Sequence, residues 1–574
     1  MTRLTLSDLP EVLVSFETVR AKLGKIVFYN KKLEGNLSES ALLSGYNYVI
    51  AGSDAEVERA VEKKIFHAER YGGDGILTNG GGGRCGYDGI FHLKGLGANQ
   101  LVGARPRDGY GNSHGNGFLS LDIAIYESIW AEIIDIALPH GSVRSAAVID
   151  LEVDFKEPDQ IHPRGLLVRV PAVRPAHFIR AIYFKEKKHG DLSEDAKRVM
   201  LVVRKLVHFL PKKGGEEHVG SMEQRLEIGM VELAKRFANQ FAASRAKRIF
   251  HQSISASNVT LDGAWMDLAG ATVFSNVLWW DGFNISRFMN EYSPAMESLQ
   301  SMCFYLSKYK VISVAHSNDI WEKSVVAFTR EYEHHLHVYT AVQVGFPLRV
   351  IQDMRDDPLF VEFSETLQKV LGHDDFSLVP VSPSASWQGD EHYVALLYRQ
   401  LLVQKFTKAS QDLSWFCKDR ALIARLVEAY DQLVEKTIAK VEVAKVSRQN
   451  FTACMAINTT RLNRVGASLL NVFERITEVR VNSANNVGAC SYSALFDGAL
   501  RDAWLAYNES TSFDTLLWRA DEVVIYFDGL SGCFVEVDGA RGKVNFSKFV
   551  DVSAVAKGGS DLLVFYNDVK EFLP

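Results

Sequence analysis

Short apolar runs separated by clusters of glycine dominate the first 155 residues of the chain. Four of these runs have the composition of β-strands, and one longer stretch has apolar residues at helical spacing. The strand-like runs are Lys25–Tyr29, Tyr46–Ile50, Ile90–Lys94 and Ala146–Val153, and the helical stretch is Phe118–Leu138. This pattern predicts a small α+β unit over residues 1–155.

Longer helical periods replace this pattern in the next part of the chain. One β-like run, Leu166–Val170, is followed by amphipathic stretches such as Ser221–Arg248, whose apolar residues recur at every third and fourth position. We therefore expect residues 156–385 to form a mostly helical unit.

Residues 386–485 remain helical in period and contain few glycines or prolines within the periodic runs. The predicted helices are Tyr393–Phe406, Arg420–Val443 and Arg461–Val479. This part of the chain is expected to be a helical extension.

The last part of the chain, residues 486–574, returns to short apolar runs. These are Glu522–Phe527, Gly532–Val537 and Leu562–Tyr566, separated by Asp-Gly and Gly-Gly turns. They predict a β-meander or small α/β unit at this end.

Composition narrows the class of function. A chain of 574 residues with 47% hydrophobic and 23% charged residues has the make-up of a globular protein of about two to four units. Its net charge of -6 provides no basic field for nucleic acid. No apolar stretch is long enough to span a membrane. The six cysteines lie far apart without a CxxC pair, so we expect a reducing, cytoplasmic setting.

A glycine-rich turn precedes a strand-like run that carries a lysine. Asn79 is followed by four glycines and Arg84, and the next run ends at Lys94. Backbone N–H groups of such a turn can approach phosphate oxygens, and a lysine on the neighbouring strand can neutralise their charge. A glycine-rich surface hairpin with a solvated lysine also explains these residues.

A second turn, Gly115-Asn-Gly, leads into the helix predicted over Phe118–Leu138, which carries Glu127. Kinase-like enzymes use a glutamate on a helix to fix the lysine that contacts the phosphates. Glu127 is therefore the candidate partner of Lys94. The alternative is an ordinary helix with Glu127 and Glu132 on its solvent side.

A third candidate feature combines an amide with a carboxylate. Ser257 and Asn258 end the segment that begins at His251, and Asp267 follows after a turn at Asp262. Amide and carboxylate oxygens are the hard ligands that Mg²⁺ prefers. A β-hairpin with an Asx turn at Asp262 is the structural alternative.

Together these features resemble the SelO family of kinase-like protein adenylyltransferases over roughly residues 15–290. Four motifs of that family have similar segments here in the same order: Gly81–Arg84, Leu93–Gly95, Gly115–Gly117 and His251–Val259. Glu127 and Asp267 also stand at the family's spacing. The resemblance implies an α+β, bilobal, protein-kinase-like core, followed here by the helical extension and the small terminal unit.

The resemblance also implies roles for individual residues. Lys94 and Glu127 would form the ion pair on the phosphates, and Asn258 and Asp267 would bind Mg²⁺ or Mn²⁺. The residues implied to bind ATP are Gly81, Gly83, Arg84, Lys94, Asn116, Gly117, Arg169 and Arg180. Arg180 matches the second phosphate-binding arginine of the family only with altered spacing, so Arg174 remains an alternative.

Two departures from the family bear on activity. Ser257 stands where the family has the aspartate thought to act as base, and Asn116 replaces an aspartate. A serine at this catalytic position cannot accept a proton near neutral pH as a carboxylate does. An insertion at residues 104–114 adjoins the predicted pocket.

Two functions follow from the resemblance. The first is transfer of AMP from ATP to a hydroxyl of a protein or peptide substrate, with Mg²⁺. The alternative is a catalytically impaired pseudoenzyme that acts as a scaffold or partner subunit of another modifying enzyme, for example in the maturation of peptide natural products such as microcins.

Two other features are interpreted as structural. His334, His335 and His337 lie in a segment rich in glutamate but lack a recognised ligand spacing, which favours a polar helix face. Trp279 and Trp280 are expected in the core or at an interface.

Overall fold

The computed structural model describes most of the chain and shows a mixed α+β fold with a large antiparallel sheet. Residues 1–3, 34, 53–57, 74–78, 104–114, 158–159, 185–193, 213, 215–219, 274–281, 374–392, 466, 485–490, 510–512, 521–522, 540 and 557–559 lie outside the described residues. The insertion at 104–114, Trp279, Trp280 and the Gly-Gly turn at 558–559 are among them.

Eight strands from the first 170 residues form one antiparallel sheet. They are β1 (Leu13–Ala21), β2 (Lys25–Tyr29), β3 (Tyr48–Ile50), β4 (Glu58–Glu69), β5 (Cys85–Tyr87), β6 (His92–Lys94), β7 (Ser145–Glu157) and β8 (Gln160–Arg169). Their order is β2-β7-β8-β6-β5-β4-β1-β3. The strands predicted from the sequence are confirmed, with boundaries shifted by several residues at some ends.

Helices account for most of the remaining chain. They are α1 (Glu39–Tyr46), α2 (Leu121–Ala137), α3 (Asp195–Val202), α4 (Met222–Ala246), α5 (Gly282–Met289), α6 (Ser293–Lys308), α7 (Val314–Val344), α8 (Leu348–Gln352), α9 (Pro358–Leu371), α10 (Tyr393–Thr407), α11 (Arg420–Val443), α12 (Arg448–Thr459), α13 (Ala467–Leu470), α14 (Val472–Ala484), α15 (Tyr492–Tyr507), α16 (Ser553–Ala556) and α17 (Ser560–Tyr566). The predicted helices corresponding to α2, α4, α10 and α11 are confirmed.

Six short strands complete the described structure. A two-stranded pair is formed by β9 (Ile249–Phe250) and β10 (Thr272–Val273), and it closes the loop that contains Asp267. The other four form an antiparallel meander: β11 (Asp514–Ala520), β12 (Val523–Asp528), β13 (Cys533–Asp538) and β14 (Gly542–Phe546). The predicted C-terminal meander is therefore present.

Two predicted elements of the C-terminal part are wrong. Leu562–Tyr566 was expected as a strand but lies in helix α17, where Leu562 and Tyr566 are both buried at a helical spacing of four. The helix expected over Arg461–Val479 is broken into a 3-10 turn and two helices. The reason is that buried Arg464 donates hydrogen bonds to the carbonyl oxygens of Leu505 and Leu516, which fixes the turn against neighbouring elements.

The apolar interior continues from the N-terminal sheet into the C-terminal helices. Buried residues of α2, α4 and α6 share one hydrophobic core with buried residues of α14 and α15. Phe28 of strand β2 and Phe496 of α15 meet in this core, with ring centroids 4.7 Å apart. The terminal meander packs instead with α9 to α12 in a second core.

None of the helices within the described residues combines the length and apolarity required to cross a membrane. The five described cysteines are all unpaired, and four of them are buried.

Because Phe496 lies in the shared core, we expect that truncating its side chain lowers the free energy of unfolding. Replacing Phe496 by Ala should lower the free energy of unfolding by about 3 kcal/mol, because a buried ring is removed from a packed core. Urea denaturation followed by tryptophan fluorescence measures this change. Val443→Ala is the control, since Val443 is 86% exposed, and it should change stability by less than about 0.5 kcal/mol. Equal stabilities of the Phe496 variant and the wild type would contradict the packing.

Candidate functional site

Three elements and one loop bring the sequence-predicted residues together. Strand β6 ends in Lys94 and lies between β5 and β8, with His92 opposite Arg169 in the antiparallel register. Helix α2 packs on β7 and β8 and carries Glu127. The loop between β9 and β10 carries Ser257, Asn258 and Asp267.

Lys94 is the centre of the candidate site. Its Nζ donates to Oε1 of Glu127 at 2.6 Å and to Oδ1 of Asp267 at 2.7 Å. Both Lys94 and Glu127 are buried. The alternative in which Glu127 lies on the solvent side of an ordinary helix is therefore wrong, and so is a solvated Lys94.

Asp267 receives hydrogen bonds or ion pairs from three cations. Arg169 donates to its Oδ1 at 2.8 Å, and a guanidinium nitrogen of Arg174 lies 3.8 Å from its Oδ2. Burial alone would raise the pKa of Asp267, but Arg169, Lys94 and Arg174 hold this pKa well below its usual range. Its backbone φ of 59° is in the left-handed region, which is uncommon for residues other than glycine.

The two arginines considered for the second phosphate contact lie in different surroundings. Arg174 is buried, donates to the carbonyl oxygen of Ser257 at 3.1 Å and reaches Asp267. Arg180 adjoins the glycines at 72–73 through its backbone and lies near Tyr305. The structure thus brings Arg174 into the cluster around Lys94 and shows no such contact for Arg180 within the described residues.

Glu69 is a further carboxylate that contacts Arg174, and it was not singled out from the sequence. It is buried at the end of β4, and its Oε2 lies 3.2 Å from Arg174 and 3.0 Å from Nε2 of His177. Its Oε1 lies 2.9 Å from Nε2 of His92. Burial alone would raise the pKa of Glu69, but Arg174 and these two histidines hold this pKa well below its usual range.

His92 links Glu69 to the other arginine. Its Nδ1 accepts a hydrogen bond from Nε of Arg169 at 3.1 Å, which leaves the proton of the neutral imidazole on Nε2, 2.9 Å from Oε1 of Glu69. Burial lowers the pKa of His92, which favours this neutral form. Glu69 therefore lies beside both Arg174 and the imidazole that accepts a hydrogen bond from Arg169.

The charges of this group balance. It contains three cations and three carboxylates, and we call it the ion cluster: Lys94, Arg169, Arg174, Glu69, Glu127 and Asp267. Asp267 is the most exposed of them, with 22% of its side chain accessible, against 4% or less for the others. A ligand can therefore reach the cluster most directly at Asp267.

The two predicted glycine turns lie beside the cluster. Gly81 has φ 144° and a Cβ there would lie 2.0 Å from the carbonyl oxygen of Glu69, while Gly117 has φ 74° and its Cβ would lie 2.0 Å from the backbone of Gly97. Arg84 donates to the carbonyl oxygen of Phe118 at 3.3 Å and so joins the turns. The first turn is buried from Gly80 to Gly83, which excludes a surface hairpin.

Two buried or half-buried amides hold these turns. Asn99 donates to the carbonyl oxygens of Gly82 and Cys85 at 2.7 and 3.0 Å. Asn116 accepts from the backbone N–H of Phe118 at 2.9 Å and so closes the second turn.

The loop between β9 and β10 places Ser257 and Asn258 next to Asp267 in the chain fold. The N–H of Met266 donates to the carbonyl oxygen of Asn258 at 3.0 Å. Ser257 Oγ lies 3.0 Å from Ser255 Oγ and donates to Asn258 Oδ1 at 3.2 Å. Within the described part of the chain, no carboxylate is hydrogen-bonded to Ser257.

The turn of this loop differs from the expected Asx turn. The hydroxyl of Thr260, rather than the Asp262 side chain, accepts from the backbone N–H groups of Asp262 and Ala264 at 3.2 and 3.1 Å. An isolated antiparallel bridge joins Val259 and Trp265 across it.

Glu291 anchors the start of the same loop. Its Oε1 accepts from the backbone N–H groups of His251 and Gln252 at 2.9 and 2.8 Å. Burial raises the pKa of Glu291 to about 8, against the opposing effect of these two donors and of Arg287. His251 in turn contacts the carbonyl oxygen of Met266 through Nε2 at 2.8 Å, one residue before Asp267.

Three histidines of α7, His334, His335 and His337, are not part of any group of three or more potential metal-ligand atoms among the described residues. Over that part of the chain, the one group with potential ligand atoms within 4.8 Å of each other is Glu227, His316 and Asp319. Lys323 already binds both of its carboxylates, at 3.0 and 2.8 Å.

Comparison with known protein families finds no family model that matches this chain. A search of curated protein sequences likewise finds no match.

Removal of the Glu69 charge should lower the free energy of unfolding. Glu69→Gln removes the nearer of the two carboxylates that face buried Arg174, the other being Asp267 at 3.8 Å, and should lower the free energy of unfolding by about 3 kcal/mol at pH 7. Glu62→Gln is the matched control. Glu62 is half exposed in its pair with Arg20, so this variant should lose less than about 1 kcal/mol of unfolding free energy.

The stabilisation by Glu69 should also depend on pH. Because the pKa of Glu69 is depressed in the folded protein, its contribution to the free energy of unfolding is complete above the ordinary glutamate pKa and is lost as the pH falls from there through the depressed pKa. Urea titrations at pH 7 and pH 4 should show the difference between wild type and variant shrinking in acid. An unchanged difference would contradict this role.

The stability contributed by Glu291 should have the opposite pH dependence. Because its folded pKa of about 8 exceeds its unfolded value, its contribution is complete in acid and is lost as pH rises towards 8. Glu291→Gln keeps the acceptor oxygen but has no such proton, so its stability relative to wild type should rise by about 2 kcal/mol between pH 6 and 8. Urea denaturation at both pH values measures this difference, and a constant difference would refute it.

Proposed function

We propose that the chain is a SelO-like, bilobal, kinase-like protein that binds ATP with Mg²⁺ and transfers AMP to a hydroxyl of a protein or peptide substrate. The observation that carries the proposal is the geometry of Lys94, which is bonded to a glutamate on a helix and to the proposed metal-binding carboxylate at the same time. This combination is the one that nucleotide phosphates and their metal ion require.

The residues of the site fit both parts of the ligand. Lys94, Arg169 and Arg174 supply one ammonium group and two guanidinium groups, and a guanidinium fork matches the oxygens of a phosphate. Nε of Arg174 is buried and has no hydrogen-bond partner within the described residues, so this arginine has donor capacity to spare. Asp267 and Asn258 offer the hard oxygen atoms that Mg²⁺ or Mn²⁺ prefers.

Binding of the nucleotide would rearrange the ion cluster. Phosphate oxygens would replace the Asp267 carboxylate on Lys94 and Arg169, while Glu127 keeps Lys94 in place. Asp267 is then available to the metal ion, which neutralises charge on the phosphates. The turns with Gly81, Gly83 and Gly117 would adjoin the nucleotide next to Arg84. The side-chain space at these three glycines is already filled by Glu69, Val102 and Gly97.

In the proposed reaction, the oxygen of an acceptor hydroxyl forms a bond to the α-phosphorus of ATP. The bond between the α-phosphorus and the bridging oxygen breaks, and pyrophosphate leaves with that oxygen. The hydroxyl proton passes to solvent, since Ser257 does not provide a carboxylate at this position. The protein residues bind and orient the phosphates and stabilise their charge.

A second candidate function is favoured by the surroundings of Ser257. Its hydroxyl contacts Ser255 and Asn258 and no carboxylate among the described residues, so hydroxyl activation lacks a strong base. In this alternative the chain binds nucleotide without turnover and serves as a scaffold or partner subunit of another modifying enzyme, such as one that matures a microcin-like peptide.

The position of the transferred label distinguishes these functions. The purified protein is incubated with Mg²⁺ or Mn²⁺ and ATP labelled at either the α- or the γ-phosphate, with and without cell lysate. AMP transfer predicts protein-bound α-label, and Asp267→Asn should reduce it at least about 100-fold because a metal ligand is lost. Asp319→Asn, which alters a surface carboxylate away from the site, is the control and should retain the wild-type signal.

Other outcomes have definite meanings. Label from the γ-position would indicate a kinase instead. Nucleotide binding without any label would support the pseudoenzyme, and unchanged α-label in Asp267→Asn would refute the site assignment.

A further inference from the structure

Helix α2, which carries Glu127, packs against two helices that lie more than 300 residues later in the chain. Besides its contacts with β7 and β8, α2 contacts α14 and α15. The buried faces of the three helices belong to one core, which includes Ile125, Ile129, Ile476, Leu495 and Leu500. The C-terminal helices thus form part of the apolar support of α2.

The first turn of α2 is joined to α14 by an ion pair. Nε of Arg480 donates to both carboxylate oxygens of Asp122, at 3.2 Å each. Asp122 is buried, whereas Arg480 is partly exposed. An acidic residue in the first turn is favourable for the helix itself, and Arg480 supplies the counterion that its burial requires.

The middle of α2 is joined to α14 and to the loop between β9 and β10 by one side chain. Tyr126 precedes Glu127, and its ring lies 6.2 Å from that of Phe473 in an edge-on arrangement. Its hydroxyl donates to the carbonyl oxygen of Ala271, at the end of the loop that contains Asp267. Tyr126 therefore links α14 to the two elements that carry the partners of Lys94. These are α2 with Glu127 and the loop with Asp267.

The last turn of α2 is also held from the C-terminal part. Nζ of Lys247 donates to the carbonyl oxygen of Ala137 at 2.6 Å and lies 3.1 Å from Oε2 of Glu509, just after α15. Lys247 is buried, so Glu509 provides the charge that compensates it. Helix α2 is consequently fixed at its first turn, its middle and its last turn.

We propose that α14, α15 and Glu509 form a brace in cis that keeps α2 in the position where Glu127 binds Lys94. Arg480 and Phe473 are then positioning residues: they do not touch the ion cluster, and they act on it through α2. The inference rests on the proposed role of Lys94 in nucleotide binding. In this proposal the C-terminal helices hold α2 in the position that nucleotide binding requires.

The test compares two partly exposed arginines, one paired with buried Asp122 of α2 and the other with a half-exposed carboxylate on another helix. Arg480→Gln removes the brace contact to Asp122, whereas Arg448→Gln removes a pair with Glu435 at 2.8 Å that does not involve α2. Hydrogen exchange over residues 121–137 and the affinity for Mg²⁺ with ATP are measured in the full-length protein. Urea midpoints establish that both variants are folded.

If the brace exists, substitution of Arg480 should change hydrogen exchange and nucleotide affinity, and substitution of Arg448 should not. Exchange in the first turns of α2 should become about tenfold faster and nucleotide affinity about three- to tenfold weaker, because buried Asp122 loses its counterion and the helix opens locally. Arg480→Lys, which keeps a cation, should recover most of both losses. Arg448→Gln should match the wild type in both measurements.

Two results would overturn the brace. One is wild-type exchange in α2 and wild-type affinity in Arg480→Gln, and the other is equal changes in Arg448→Gln. If the wild type binds no nucleotide, the proposed function fails separately, and hydrogen exchange alone still decides whether Arg480 holds α2.

Discussion

Charge compensation inside the ion cluster is the constraint on which the rest of the site depends. Three cations and three carboxylates are brought out of water together, and each is stabilised only while its partners stay in place. Three features of the fold place these charged groups next to each other. They are the register of the sheet, the position of α2 and the left-handed backbone at Asp267. A shift of any one element would therefore leave a buried charge unpaired unless a ligand takes the place of the lost partner.

The sequence predicted the part of this site that depends on residue type and spacing. Lys94, Glu127 and Asp267 carry the expected chemistry at expected distances along the chain, and the structure brings them into contact. Glu69 was missed because it is a single acid at the end of a strand. One signal in the sequence pointed to this neighbourhood. His92 lies two residues before Lys94 on a strand, so the two side chains share a face of the sheet, and Glu69 lies beside His92 on that side of the site.

The errors in the fold have a similar origin. A five-residue apolar run such as Leu562–Tyr566 has no period long enough to distinguish a strand from a buried helical turn, and its neighbours in space decided the outcome. The break in the helix predicted over Arg461–Val479 depends on carbonyl groups of distant residues that bind Arg464. Such tertiary contacts have no local trace in the sequence, whereas the long amphipathic helices α4 and α11 do.

The ion pair between Asp122 and Arg480 joins residues separated by 358 positions in the chain. During synthesis, α2 emerges long before α14 and α15, so the part of its apolar face that these two helices cover stays without those partners while most of the chain is still being made. Contacts between such distant segments also slow folding, because a large loop must close before they form. A chain interrupted before α14 would thus lack both the cover of α2 and the support of Glu127. Completion of translation and assembly of the site are in this way coupled events.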